Sequence, residues 1–282
     1  EKSGGRMHID VFANAQLASD RDCIEGMQMN TIQSGIMVSS ALAGFTDELL
    51  VFDLPFLFEN SAQGQAVCDS DVGQQILGTL EDIGIKGLGW MEYGMRNITN
   101  SVRPIEKPED LQGIKIRTME NQNHMAFWSA LGAAPTPLAW PEVYISLQNG
   151  TIDAQENAAD TCMTSNFQEV QKYLNFTNHI LYLNQIIINN DKFNSLDPLY
   201  QDALTQAVEE AIAELRPALT ELDKSSKDTL AAGGMEMVEY APEFYDEILN
   251  LQGVQDLYTK IDGEVDGLGT ILQDELAAVA GA

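Results

Sequence analysis

Basic residues are scarce in this chain. Lys and Arg number 15 against 43 Asp and Glu, a formal net charge of −28. Nucleic acid is therefore excluded as a partner, because phosphates need basic patches. The acidity reads instead as a soluble, self-repelling surface, suited to a saline habitat. Cysteine is also sparse. Cys23, Cys68 and Cys162 are far apart and form no CxxC pair, so neither a zinc site nor a thioredoxin-like motif is present. One disulfide and three buried free thiols both remain open. Only His8, His124 and His179 supply imidazoles, and none has a cysteine at a catalytic spacing. No GxSxG, HExxH, Walker A or GxGxxG signature occurs, so an enzyme is not expected, nor any cofactor. No apolar run reaches the ~18 residues of a membrane span. No signal peptide precedes Glu1, as in a trimmed mature chain.

What is present is enough for a core. Hydrophobic residues make up 44% of 282, which argues against disorder. That length suits two lobes of roughly 100–150 residues each. Positions 8–12 alternate, with Ile9 and Val11 on one face, and predict a strand. Positions 20–34 have helical spacing, and 35–43 read as a strand entering a loop. Positions 49–58 form a strand or buried turn around Pro55, 71–83 a helix and 86–93 a strand. Helices follow at 121–131 and 141–149, each closed by a glycine. The longest helical pattern covers 197–232, with Pro217 expected to kink it. A late strand at 235–240 precedes C-terminal helices. Strands alternating with helices predict α/β architecture with parallel sheets, in two lobes joined by several crossings.

The most informative stretch runs from Arg117 to Asn157. Ile114 and Ile116 face one way on a short strand, Lys115 and Arg117 the other. In open α/β sheets, ligands bind beyond the carboxyl ends of strands. A guanidinium there can grip a carboxylate through two parallel hydrogen bonds. An internal salt bridge with one of the many acids is the competing reading, and the local pattern leaves both open.

The segments GIKIRTMEN…LGAAPTPLAWPEVYISLQNGTIDAQEN, SGGRMHIDVFANAQLASDRDCIEGMQMNTIQ, VFDLPFLF, GMRNITNSVRPIEKPEDLQGIKIR and EVQKYLNFTNH together carry a resemblance. They closely resemble the solute-binding proteins of TRAP transporters, the DctP-like family, over nearly the whole chain. The resemblance implies a two-lobe periplasmic-binding-protein-like fold. A ligand cleft lies between the lobes and a long helix spans both. It places residues 1–94 plus 183–216 in a first lobe, and 95–182 plus 217–282, with the C-terminal helices, in a second. It also implies a secreted, periplasmic monomer that captures a small carboxylate. The ligand passes to membrane permease subunits driven by an ion gradient, and the membrane is touched only through them. A binding protein of an ATP-driven importer, or a ligand-sensing domain of a signalling system, is the rival.

Residue by residue, Arg117 matches the family's main carboxylate-binding arginine and Asn157 the asparagine that meets the same group. Arg96 matches a second arginine at the cleft, though an internal salt bridge would also suit it. Glu156 and His179 match polar residues that support these contacts from behind; for His179 a satisfied core histidine is the plainer alternative. Trp140 stands where the family usually has phenylalanine packed on the ligand. Ser39 and Asp20 lie near specificity-setting positions, and Tyr182 and Asn184 are placed to reach the cleft. Phe127 and Trp128 read as core. The chain departs from the family in two ways. A strand and helix that usually precede SGGR are missing apart from their last turn, and Ala158 replaces the usual proline after QEN. Two arginines suit a dicarboxylate; Trp140 favours a ring or broader apolar face, and the balance leans to a sugar acid or other hydroxylated monocarboxylate.

Overall fold

Helix caps in this chain are written locally. Ser19 accepts from the Asp22 amide and starts α1 (Asp20–Gln28), with Asp20 and Asp22 placed favourably in its first turn. Asn121 accepts from two amides and starts α5 (Gln122–Ala130). Asp197 and Pro198 start α9 (Pro198–Ala232), whose 35 residues span about 50 Å at the usual rise. The computed structural model describes residues 2–280.

Between these lie β1 (Ser34–Val38), α2 (Ser39–Leu42), α3 (Ser61–Asp69), α4 (Asp71–Gly78), β2 (Ile85–Met95), β3 (Asn97–Asn100), β4 (Lys115–Thr118), β5 (Ala134–Pro137), α6 (Val143–Gln148), β6 (Ala154–Asn157), α7 (Ala159–Thr164), β7 (Tyr173–Asn175), β8 (Leu181–Asn189) and α8 (Asn190–Asn194). After α9 come β9 (Glu236–Val238), α10 (Pro242–Leu249), α11 (Gln252–Glu264) and α12 (Leu268–Ala280). The stretch expected as strand or buried turn is a 3-10 helix, Asp47–Asp53, followed by a turn.

Two sheets form. The first has the order β1-β8-β2 and the second β5-β4-β6-β3-β7-β9. The expected parallel sheets are only partly present. Both pairings of the first sheet are antiparallel, whereas β4 pairs parallel with β5 and β6. The antiparallel first sheet arises because β8 returns from the second sheet between two strands that run the other way. The strand predicted at 8–12 does not form either. Ile9, Val11 and Phe12 are exposed and Val11 is 83% accessible. Alternation marks a possible strand, but without a hydrogen-bonding neighbour the backbone has no ladder to join.

The sheets are joined at narrow crossings. β2 ends at Met95 and β3 begins at Asn97, so Arg96 alone separates the first sheet from the second. The return crossing passes through His179 before β8, and the Arg96 amide donates to Ile180 O at 2.8 Å, tying the two crossings together. The third link is α9. Its Val208 and Ile212 pack with Met91 of the first sheet, and its Leu230 packs with Leu174 and Phe167 of the second. The helix runs on through Pro217 unbroken. Arg216 beside it is fastened to Asp69 and Glu92 by four hydrogen bonds of 2.7–3.0 Å. One continuous core takes Ile24 and Trp90 from the first sheet's side, Ile98 and Ile116 from the second, and Phe244, Val254 and Ile261 from the C-terminal helices. Phe127 and Trp128 belong to it, as expected. All three cysteines are free.

Candidate functional site

β4 is hydrogen-bonded on both sides, by β5 and β6, and this fixes where its last residues point. Arg117 leaves the strand on its polar face. Its Nε and Nη2 donate to Leu138 O at 3.0 and 2.7 Å. Those bonds hold the Pro-rich turn against the strand end. They also leave Nη1 as a buried donor with no protein partner. The indole of Trp140, from the same turn, faces the guanidinium at 5.7 Å and is itself braced by Phe167 at 5.9 Å.

Arg117 lines a cavity that β4 and the turn after β5 share with α1 and α2. Asp20 and Arg21 from α1, Phe45 after α2, and Glu120 and Trp140 complete its wall. Burial drives the Arg117 guanidinium down to about 10 and Arg96 adds to the fall, while Glu156 and Asp20 oppose it. It stays charged at neutral pH.

Behind this cavity stands a second arginine, already paired with a carboxylate. Arg96 donates from Nε and Nη2 to the two carboxylate oxygens of Glu156, at 2.6 and 2.9 Å. Nη2 also donates to Glu156 O, and Nη1 to Asn157 Oδ1 at 3.1 Å. The Tyr182 ring covers the guanidinium at 4.9 Å. His179 Nε2 lies 3.0 Å from Glu156 and its Nδ1 2.9 Å from Thr177 Oγ1. Burial lowers the His179 imidazole, so it is neutral. It then donates to the ionised Glu156 and accepts from the threonine hydroxyl. Burial alone would raise the Glu156 carboxyl, yet Arg96 and His179 hold it well below the carboxylate range.

The chain thus brings Arg117, Trp140 and Asp20 to one cavity. Asn157 ends β6, next to β4, with its carbonyl oxygen turned to Arg96. Arg96, Glu156 and His179 form the layer behind. Ser39, which opens α2, and Asn184 of β8 do not line the cavity. The Ser39 hydroxyl accepts from Gln185, and Asn184 sits in β8 between Val38 and Met91. Arg21, Phe45 and Glu120 were missed in the sequence. Glu120 had a signal, since it follows Arg117 by three positions in the same strand-to-helix loop. Phe45 and Arg21 meet the cavity only through the fold.

A model of the family described as bacterial extracellular solute-binding protein, family 7 (DctP), matches residues 1–260. The chain belongs to that family. It is similar to the 2,3-diketo-L-gulonate-binding periplasmic protein of Escherichia coli strain K12, with 32% identity over 92% of this chain and 79% of that protein. Its fold is similar to the sugar acid binding protein of Advenella mimigardefordensis, solved in complex with galactonate. That likeness has a TM-score of 0.94 and 29% identity, over 98% of this chain and 89% of the other. It is similar too to a TRAP periplasmic solute binding protein of Chromohalobacter salexigens with bound D-glucuronate, with a TM-score of 0.92, 26% identity and coverage of 97% and 91%. This α/β chain, with its long α9, is therefore a TRAP-type solute-binding protein and not an enzyme. Proteins of the family bind small acids and work with membrane permease components; its extracytoplasmic members are periplasmic. Among the described residues, no helix is long and apolar enough to cross a membrane.

Proposed function

We propose that this protein captures a hydroxylated monocarboxylate of the sugar-acid type in the periplasm and delivers it to TRAP permease subunits. The observation that carries the reading is Arg117 Nη1, a buried cationic donor that opens on a cavity and has no protein acceptor. A buried donor left unpaired is costly, and a ligand carboxylate removes that cost. The solved relatives hold galactonate and D-glucuronate, both hydroxylated monocarboxylates.

In this reading Arg117 takes the carboxylate. Asn157 donates to it from Nδ2, because Arg96 holds the amide oxygen and so sets which end faces the ligand. Arg96 keeps one further Nη1 hydrogen for the same group. Glu156 and His179 hold Arg96 in place, and Trp140 packs on the ligand body. Asp20 contributes from α1 and Tyr182 from β8. The lobes are 1–94 plus 183–216 and 95–182 plus 217–282, and they close about the crossings at Arg96 and His179 and about α9.

A thermal-shift screen with galactonate, D-glucuronate and succinate tests this. A ligand at 100 times its Kd adds about 2.7 kcal/mol of stability. The expected result is a clear upward shift with a hydroxylated acid that disappears in Arg117→Ala. A shift that survives Arg117→Ala overturns the assignment.

A further inference from the structure

The wall facing Arg117 is acidic, and this bears on what the rest of the ligand can be. Asp20 stands at the start of α1 and Glu120 in the loop after β4, both lining the same cavity as Arg117. Burial raises the Asp20 carboxyl above its ordinary value; Arg117 opposes the rise and Glu120 adds to it. The other cation of the wall, Arg21, is already engaged. It pairs with Glu25 at 3.1 Å and stacks over Phe45 at 5.4 Å. Arg96, behind, is neutralised by Glu156. Among the described residues, one positive charge not paired with a carboxylate therefore shares the cavity with two carboxylates.

We infer that Asp20 and Glu120 act as a selectivity pair, accepting ligand hydroxyls and repelling a second carboxylate. The inference rests on the reading that Arg117 Nη1, the buried unpartnered donor, takes the first carboxylate. An ionised carboxylate is an acceptor only, and it bonds hydroxyl groups more strongly than a neutral acceptor does. A polyol chain leading away from Arg117 supplies such hydroxyls. A C4 dicarboxylate supplies instead a second negative charge facing two like charges, which repel it. Discrimination then comes as much from rejecting the wrong ligand as from holding the right one. Two arginines in the sequence were compatible with a dicarboxylate. With Arg96 neutralised from within, that argument loses its second cation.

Calorimetric titration of the full chain with galactonate, succinate and γ-aminobutyrate decides the matter. It is run on the native protein, Glu120→Gln and Asp20→Asn/Glu120→Gln. Glu120 is exposed, so the single variant tests the idea without endangering the fold. The native protein is expected to prefer galactonate over succinate by ~100-fold or more, the scale of like-charge rejection. In the double variant that ratio falls at least ~10-fold, through tighter succinate and weaker galactonate, with the single variant between. A ratio that stays within about threefold, while Arg117→Ala still abolishes galactonate binding, overturns the selectivity pair and spares the carboxylate site. Native preference for γ-aminobutyrate also overturns it, since the acids would then be reading an ammonium. Galactonate binding that ignores Arg117→Ala overturns the underlying site and the pair with it.

Discussion

Arg96 and Glu156 close on each other through two hydrogen bonds, of 2.6 and 2.9 Å, while being 1% and 0% exposed. The pair bridges the crossing between the sheets and the end of β6. It consumes the carboxylate that a casual reading would give to Arg117. Arg117 is left with a carbonyl on one side and an empty donor on the other. Two arginines near one cleft thus differ in kind: the charge of one is met by a buried carboxylate, and that of the other is not.

Arg117→Ala is expected to abolish acid binding and keep the fold, because a bound carboxylate loses its charged partner. The loss is on the order of 2–5 kcal/mol of binding free energy. Arg117→Lys keeps the charge but cannot hold Leu138 O and a ligand at once, so it should bind nearly as poorly. Calorimetry with galactonate, beside far-ultraviolet circular dichroism, measures both.

Glu156→Gln leaves the Arg96 guanidinium buried without its counter-charge. Destabilisation of about 3–5 kcal/mol is expected, read from the guanidinium chloride midpoint. Arg96→Met should cost a similar amount. The double variant Arg96→Met/Glu156→Leu should fall well short of the summed losses, because neither charge is then stranded. Additive losses would show that the two residues act independently.

Acid should weaken the same layer. The His179 imidazole is lowered from 6.5 by burial, so the unfolded chain binds its proton first and stability falls as pH drops below about 6.5. The Glu156 carboxyl is held well below 4.5, so its contribution is full above that pH and declines beneath it. Both shifts have the same sign. This layer's contribution to the unfolding free energy should stay level from pH 7.5 to about 6.5 and decrease from there to pH 4. His179→Gln should flatten the upper part of the curve.

Trp140→Ala removes the aromatic face beside Arg117. Binding is expected to weaken by about 0.5–2 kcal/mol, the range of a cation–π contact between exposed and desolvated limits. Trp140→Phe should keep most of the affinity. Since Trp140 is only half-buried, the unliganded melting temperature should move little. Calorimetry and a thermal melt check the two expectations.

Much of this was legible along the chain. The alternation at 114–117 put Arg117 on the polar face of a strand end, where the structure has it. Asn121 and Asp197 announced helix starts, because a cap is a contact between near neighbours. The segments around Arg117 and Asn157 also carried the family. Sheet direction was less legible. The first sheet is antiparallel because β8 enters it after a visit to the second, and alternation within β8 says nothing of its neighbours. The same gap explains residues 8–12, whose pattern is strand-like and whose backbone has no ladder.

The resemblance to a family implied the binding role; by itself, the sequence determined an acidic α/β chain with a long helix and an arginine at a strand end. Those features depend on composition, on caps and on periodicities that neighbouring residues share. Only the tertiary structure decided which acid answers which arginine. Glu156 lies 60 positions from Arg96, and their meeting depends on β3 pairing with β6, which sets Ile98 opposite Glu156 just beyond the crossing. Asp20 and Glu120 likewise share a cavity only because α1 and β4 face each other across it. Electrostatic pairing is decided by distances of a few ångströms through space, and no local pattern in a chain records them.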